Sequence, residues 1–256
     1  MTESYLKVAK VRDDVNARFS SKSGPTGLIE TILRRFRNIS FVILLSPLSL
    51  ICCFCLGLSA APGIYIYHQM DRISAEWPEV FHYPMLGFGL SLGYLAYGLT
   101  LIFVVPAVNF LMPFRVKPFR GPWFSLPTIP WFVHNALTYM VRFTFLEFIT
   151  PSPLNILFFR MMGMKIGKGV IINTSNISDP CLITLEDFVT VGGSATLFAH
   201  YGQRGYLIIS NVKVGRGTNI GLKASIMGGC TIGCDVTIKP HSVVLPKTAV
   251  ADGLTV

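Results

Sequence analysis

The chain has 256 residues, of which 51% are hydrophobic and only 14% charged, and it carries a formal net charge of +9. Its mean hydropathy is +0.54. That composition excludes an ordinary soluble protein. The positive charge has no nucleic-acid binding motif attached to it, so anionic lipid or an anionic donor is the expected counterpart.

Residues 1–38 form a basic segment with eight Lys/Arg, including Arg34, Arg35 and Arg37. So long a polar stretch before the first apolar run argues against a cleaved signal peptide. Two uncharged stretches follow, residues 39–67 and 83–114. Each exceeds the roughly 20 residues that a helix needs to cross ~30 Å of hydrocarbon. Residues 39–114 are therefore expected to form a two-helix transmembrane region, with Pro47, Pro62, Pro106 and Pro113 shortening the helices. The loop between the spans, HQMDRISAEWPEVFH, has Arg72 as its one Lys/Arg, whereas Arg115, Lys117 and Arg120 follow the second span. The positive-inside rule then places both termini in the cytoplasm and the loop outside, in a cytoplasmic (inner) membrane. Six cysteines without metal-ligand spacing agree with a reducing compartment.

Residues 115–163 are expected to be an interfacial collar of amphipathic helices, one within residues 130–148 and one in PLNILFFRMMGM. Trp123, Trp131 and Tyr139 are residue types that settle at the bilayer surface, and a re-entrant segment is the alternative. His134, inside the aromatic stretch, is expected to pack or to meet a headgroup.

Residues 164–256 count in sixes. Aliphatic residues return at Ile208, Val214, Ile220, Ile226, Ile232, Ile238, Val244, Val250 and Val256. Four places after each of the first eight stands a smaller residue: Val212, Thr218, Ala224, Cys230, Val236, Ser242, Thr248 and Leu254. A period of six fits neither a helix nor a plain strand. It fits three short flat strands per coil, the left-handed parallel β-helix. The same phase opens upstream at Ile166, Ile172, Leu185, Val191 and Leu197. The count slips between Leu197 and Ile208, where FAHYGQRGYL is inserted. A loop leaving a rigid repeat is where function concentrates.

That loop carries His200, the candidate catalytic residue. A neutral imidazole there would take a proton from a hydroxyl or amine that attacks a thioester carbonyl, with no metal. Of the other histidines, His68 and His82 flank the outer loop, and His241 sits at a coil turn. Arg204 and Lys223 are candidate contacts for the phosphates of the donor. Asn173 and Asn176, in the first coil, are candidates for orienting the base or an acceptor hydroxyl.

Three segments carry a family resemblance: PLNILFFRMMGMKIGKGVIINT, then DPCLITLEDFVTVGGSATLFAH, then the hexads VGRGTNIGLKASIMGGCTIG. Together they resemble the membrane-bound hexapeptide-repeat acyltransferase module that ends nonribosomal peptide synthetases of the ε-poly-lysine type. Stand-alone relatives of the colanic-acid acetyltransferase kind share the pattern. The resemblance covers roughly residues 115–256, and it implies acyl or aminoacyl transfer at the cytoplasmic membrane surface, with His200 on the module's loop histidine. After that histidine the module carries an acidic pair before an arginine. Here Gly202 and Gln203 stand in those places and Arg204 is kept, so if that acidic pair tunes or orients the module's histidine, this chain lacks it. The repeat also stops in mid-pattern at Val256, which implies a truncated chain or a partner over the open coil.

The leading expectation is a membrane-anchored acyltransferase. It would move an acetyl or aminoacyl group from acyl-CoA, or from a thioester on a carrier protein, to a hydroxyl or amine of a membrane-associated envelope, peptide or sugar precursor. The alternative is a catalytically degenerate β-helix scaffold that docks a partner enzyme or carrier protein. A γ-type carbonic anhydrase would need three zinc-binding histidines where the repeat region offers only His200 and His241. Trimerisation, as in soluble β-helix acyltransferases, is a further possibility that no residue here specifies.

Overall fold

The computed structural model describes residues 15–256; the first part of the basic segment, with Lys7, Lys10 and Arg12, lies outside them. A short helix, α1 (Gly24–Arg35), leads into two long ones, α2 (Arg37–Ser74) and α3 (Glu79–Leu111). Helix α2 runs past both ends of its uncharged stretch, whereas α3 starts before its stretch and ends at Leu111, short of residue 114. Pro47 and Pro62 lie inside α2, and Pro84 and Pro106 inside α3, so these prolines do not end the helices. Each proline removes one rung of the ladder, but the neighbouring rungs remain. Hydroxyls also bond back along the helix, Ser49 to Leu45 O at 2.9 Å and Thr100 to Ala96 O at 2.8 Å. Only residues 75–78 separate the two helices, so most of the expected outer loop is helical. The turn is tied by Ser74 Oγ and His82 Nδ1, 2.9 Å apart.

The two helices touch backbone to backbone where Gly63 meets Gly93. A Cβ on Gly63 would lie 2.5 Å from the Gly93 carbonyl oxygen, so only glycine allows this approach. Both helices are long and apolar enough to cross a membrane. Their outward faces leave Ile43, Leu50, Phe54, Leu90, Phe103 and Phe110 exposed, the reverse of a core helix in a soluble domain.

Helix α4 (Ile129–Val141) continues into a π-helical turn, Arg142–Leu146, and α5 (Pro153–Met161) follows. The expected helices are present, but α4 does not lie on a surface. It buries Trp131, Val133, His134, Asn135, Leu137, Thr138 and Val141. With apolar side chains around most of its circumference, it can satisfy them only by wedging between other elements. It packs against α3 on one side and the start of the β-region on the other. Trp131 is accordingly 7% exposed, inside the protein rather than at a bilayer surface.

The β-region is three parallel sheets of stacked short strands. The first coil is β2 (Lys165–Ile166), β3 (Ile171–Ile172) and β4 (Ile177–Ser178). The second is β5 (Ile183–Leu185), β6 (Thr190–Val191) and β7 (Thr196–Phe198). Two strands, β8 (His200–Gln203) and β9 (Tyr206–Ile209), then leave the coil. They pair antiparallel with each other, and β9 pairs with β1 (Phe119–Pro122) from the collar. The coil resumes at β10 (Val212–Val214), β11 (Asn219–Ile220) and β12 (Ser225–Ile226). It continues through β13 (Thr231–Ile232), β14 (Thr237–Ile238) and β15 (Val243–Val244) to β16 (Ala249–Val250). The sheet orders β2-β5-β10-β13-β16, β3-β6-β11-β14 and β4-β7-β12-β15 fit a left-handed parallel β-helix.

Three columns of aliphatic side chains fill the coil: Leu185, Val214 and Ile232; Ile172, Val191, Ile220 and Ile238; Ile177, Leu197, Ile226 and Val244. All are buried. The smaller residue of each hexad turns into a corner, where a hydroxyl can meet an otherwise lost carbonyl. Thr218 is fully buried; its Oγ1 donates to Gly233 O at 2.8 Å and accepts from the Val236 N–H at 3.2 Å. Ile208 is a correction to the count. It belongs to the antiparallel ladder, opposite Tyr201 and Arg120, and packs with Tyr201 and Tyr206 outside the coil interior. The inward series therefore resumes with Val212 and Val214. Leu254 and Val256 also depart from the inward series, being exposed at 50% and 43% where Ile208 is buried.

Ile226 has no exposure and Leu254 half. Ile226→Ala is expected to lower unfolding stability by about 2–5 kcal/mol, and Leu254→Ala by less than about 0.5 kcal/mol. Thermal or denaturant unfolding of the purified protein reads the contrast.

Candidate active site

The coil turns at three corners, and the site forms at the corner that follows the third sheet. Ile177 pairs with Leu197 and Ser178 with Phe198, one coil above. Continuing that register by one residue sets Asp179 beneath Ala199, next to His200. Asp179 adopts a left-handed conformation (φ +59°), which aspartate tolerates better than most residues, and a 3₁₀ turn at Pro180–Leu182 follows it. One coil higher, a Cβ on Gly228 would lie 3.0 Å from the backbone nitrogen of His200, so glycine permits that coil to close over the histidine.

In the second coil this corner is replaced by the β8–β9 hairpin. Gln203 pairs with Tyr206, and the two residues between them, Arg204 and Gly205, both have positive φ (50° and 82°). That is the two-residue turn whose twist suits a hairpin. Tyr201, Tyr206 and Ile208 make a small core of their own with Met227 and Val15.

His200 Nδ1 lies 2.5 Å from Asp179 Oδ2. Asp179 is wholly buried, and its other oxygen accepts from Asn135 Nδ2 at 2.7 Å. Asn135 is held in turn, because the same nitrogen donates to Trp131 O at 3.2 Å. With Asp179 as a carboxylate, Nδ1–H of His200 donates to it, and the lone pair is left on Nε2. The imidazole is 19% exposed, so it is reachable but not free to turn. Trp131 meets it edge-on at 4.8 Å between ring centroids, and Phe198 flanks it at 5.7 Å. A general base needs such an arrangement: an acid that fixes the tautomer, aromatic walls that fix the ring plane, and one nitrogen left to take a proton.

The collar clamps the segment that carries Asp179. Tyr139 OH and Ser178 Oγ are 2.8 Å apart, Arg142 donates to Asn176 Oδ1, and Ser175 Oγ donates to Glu147 Oε2. Thr174 Oγ1 donates to Ala195 O at 2.8 Å inside the same turn.

The residues proposed from sequence separate into two groups. His200 stands at the site. Arg204 is on the same hairpin but at its exposed tip. Asn173 and Lys223 follow the second sheet, at a different corner; the Asn173 amide and the Leu222 side chain both border Gly193 there. Asn176 is engaged with Arg142. Among the described residues, no hydrogen bond joins any of these four to His200 or Asp179. His241 occupies an exposed turn with φ +62°, as its hexad position predicts. The hairpin sequence lacks an acid, but Asp179 of the preceding coil lies beside the histidine. Asp179 and Asn135 were not singled out by sequence. The available signal was the rung spacing: Ile177 and Leu197 occupy equivalent places, so an acid two residues past the first sits below the start of the loop. Among the described residues, no three His, Cys, Asp or Glu side chains gather where one metal ion could bind them.

No family model matches the chain. A curated relative, the delta-poly-L-ornithine synthetase of Acinetobacter baumannii (strain AB307-0294), is 24% identical over 166 residues. The match covers 64% of this chain but only 12% of that much longer protein. Among solved structures, a maltose O-acetyltransferase from Clostridium difficile 630 is similar over 53% of this chain and 89% of its own, with 18% identity and a TM-score of 0.38. The serine acetyltransferase from Brucella abortus strain S19 covers 98% of this chain and 80% of its own, with 16% identity and a TM-score of 0.36.

A buried histidine, His134, sets a pH dependence. His134 is 3% exposed, and its Nδ1 lies 3.0 Å from Asn109 Oδ1. Burial lowers its pKa to about 4, against a smaller upward pull from the Asp179 carboxylate. Below about pH 6.5 the unfolded chain takes up a proton that the folded chain refuses. Stability is therefore expected to fall as pH drops from about 6.5 to 4, by a total of about 3 kcal/mol. Melting curves across that range should be flatter for His134→Asn than for the parent chain.

Proposed function

We propose that this chain is an acyltransferase anchored in a membrane, with His200 as general base and Asp179 as its positioning residue. The observation that carries the reading is the linked chain His200–Asp179–Asn135 at the root of a hairpin that leaves a parallel β-coil. In the reaction, Nε2 of His200 takes the proton of an acceptor hydroxyl or amine. The freed oxygen or nitrogen attacks the thioester carbonyl. The tetrahedral intermediate then collapses, the C–S bond breaks, and the imidazolium returns its proton to the departing thiolate. Asp179 stabilises the imidazolium while it exists, and no metal or covalent enzyme intermediate is needed.

The donor is a thioester of coenzyme A or of a carrier protein. Arg204, on the same hairpin as the base, is the cation best placed for an anionic part of that donor. Asn173, Asn176 and Lys223 lie elsewhere on the coil, and they would serve only a donor that reaches round it. The partial match to a poly-ornithine synthetase supports aminoacyl transfer to an amine as one form of the reaction. The contact of Asp179 with His200 supports the catalytic reading over a degenerate scaffold, which the missing acidic pair had favoured.

The exposed apolar faces of α2 and α3 support the membrane anchor. The cations before α2 and after α3 support a cytoplasmic coil in the inner membrane. The acceptor would then be a membrane-associated precursor.

His200→Ala is expected to abolish transfer of an acetyl or aminoacyl group from a thioester while the protein stays folded. Asp179→Asn should lower kcat by about 10²–10⁴ with little change in KM, because an amide no longer selects the Nδ1–H tautomer or stabilises the imidazolium. Full turnover by either variant would exclude this mechanism. For orientation, a cysteine placed at Glu76 in a cysteine-free background should react with an impermeant maleimide from outside intact cells, whereas one at Asp252 should react only after lysis. The reverse pattern would invert the topology.

A further inference from the structure

Two cavities lie where α1 passes into α2, and their chemistry differs. The first, of about 290 Å³, is enclosed by Leu33 on α1, Phe41 and Leu44 on α2, and Phe124, Ile129 and Phe132 of the collar. The hydroxyls on its wall are already spent on backbone carbonyls. Ser40 Oγ donates to Ile32 O, Ser125 Oγ to Pro122 O at 2.8 Å and Thr128 Oγ1 to Ser125 O at 2.7 Å. A polar occupant would give up its bonds to water and gain few in return, whereas an alkyl chain gives up none. Phe41 is 45% exposed, so one wall of this cavity stands on the outward face of α2.

The second cavity, of about 670 Å³, is lined by Arg18, Arg34, Arg35 and Arg37, with Asn16 and Asn38 beside them. Among the described residues, no carboxylate lines it. Arg34 is matched by Glu30 at 2.7 Å. Arg18, Arg35 and Arg37 have no carboxylate partner among the described residues. Arg18 and Arg35 are exposed, so an incoming group can reach them. Arg37 is held in place, donating to Val15 O at 3.1 Å and lying over the Phe124 ring. Like charges gathered in this way repel, and an anion among them relieves the repulsion. Two links join the cavities: the Phe124 ring beneath Arg37 is a wall of the apolar one, and Ile39 of the basic one adjoins Ser40 of the other. An apolar slot beside an arginine cluster matches an amphiphile with a negative head.

We propose that this junction binds an anionic phospholipid drawn from the bilayer, with its phosphate among Arg18, Arg35 and Arg37 and one acyl chain beside Phe41 and Leu44. The arginines select an anionic headgroup over a zwitterionic one, because the ammonium of the latter would meet the same cations. The bound lipid stands next to the hairpin that carries His200. Val15, whose carbonyl Arg37 holds, packs with Tyr201 and Tyr206. Trp123, on the wall of the apolar cavity, meets Trp131 edge-on, and Trp131 meets His200. The site rests on the membrane reading above but not on acyl transfer.

The test uses the full chain in phosphatidylcholine nanodiscs and two photoreactive probes with the same diazirine-bearing chain, a phosphatidylglycerol and a phosphatidylcholine. Cross-links are mapped by mass spectrometry. The phosphatidylglycerol should label residues 40–44 and 124–132 about tenfold more than the phosphatidylcholine, as expected when its extra negative charge meets one or two unpaired arginines. Arg18→Gln combined with Arg35→Gln should reduce that preference to about twofold or less. Both side chains are exposed, so this variant is expected to fold as the parent does. Leu44→Trp, which fills the apolar cavity from α2, should lower labelling of the same segments by both probes. Inorganic phosphate, at ionic strength matched with chloride, should leave the preference unchanged; its loss there would assign the arginines to free phosphate and overturn the lipid. Equal labelling by the two probes, labelling only elsewhere, or a full preference surviving in the double variant also overturns the proposal. Co-elution with the discs is scored separately. A chain that stays out of the discs overturns the anchor and the site together, whereas one that enters without selective labelling overturns the site alone.

Discussion

A carboxylate with no exposure to solvent must be matched on every side, and Asp179 is matched by two different parts of the chain. One oxygen meets His200 at 2.5 Å and the other meets Asn135 at 2.7 Å. Removing a charge from water costs several kcal/mol unless such partners are in place. The first coil, the hairpin and helix α4 are therefore joined at a single point. His200 is oriented as seen here only when all three are assembled, and loss of the hairpin or of α4 leaves one oxygen of a buried carboxylate unmatched.

The rest of the molecule can be understood as holding that point. Parallel pairing of β4 with β7 places Asp179 below the hairpin, and the glycine at position 228 lets the next coil close above it. Strand β1 from the collar covers the outer edge of the hairpin, so the loop that carries His200 is a paired strand rather than a free excursion. Tyr139, Arg142 and Glu147 pin the turn before Asp179 from the other side. Helix α4 reaches this position because it is sandwiched, with Leu137 and Val141 fully buried. It thus connects the apolar helices mechanically to Asp179.

The same helix has two polar residues in succession with different fates. Asn135 turns to the carboxylate, whereas His134 turns to Asn109 on α3. One residue of separation on a helix is about 100° of rotation, enough to aim the two side chains at different neighbours. A partly exposed histidine and a buried neutral one can therefore lie close together in different surroundings. The field of Asp179 reaches His134 only as a minor contribution set against burial.

The sequence by itself determined the repeat, the two long apolar helices and the histidine at the break in the count. Each of these is a local pattern: aliphatic side chains at every sixth place, runs without charge, and an insertion that interrupts a period. Their interior positions are buried where the pattern puts them, from Val214 to Val250, because a coil admits its side chains at fixed intervals. Only the tertiary structure decided what lies next to the histidine. Asp179 is 21 residues earlier and Asn135 lies in a helix of another region, and their meeting depends on which rung stacks on which and on where α4 is wedged. The prolines of α2 and α3 and the place of Ile208 were misread for the same reason. Whether a helix survives a proline, and which ladder a residue joins, are settled by neighbouring chain segments and not by the residue's own place in a period.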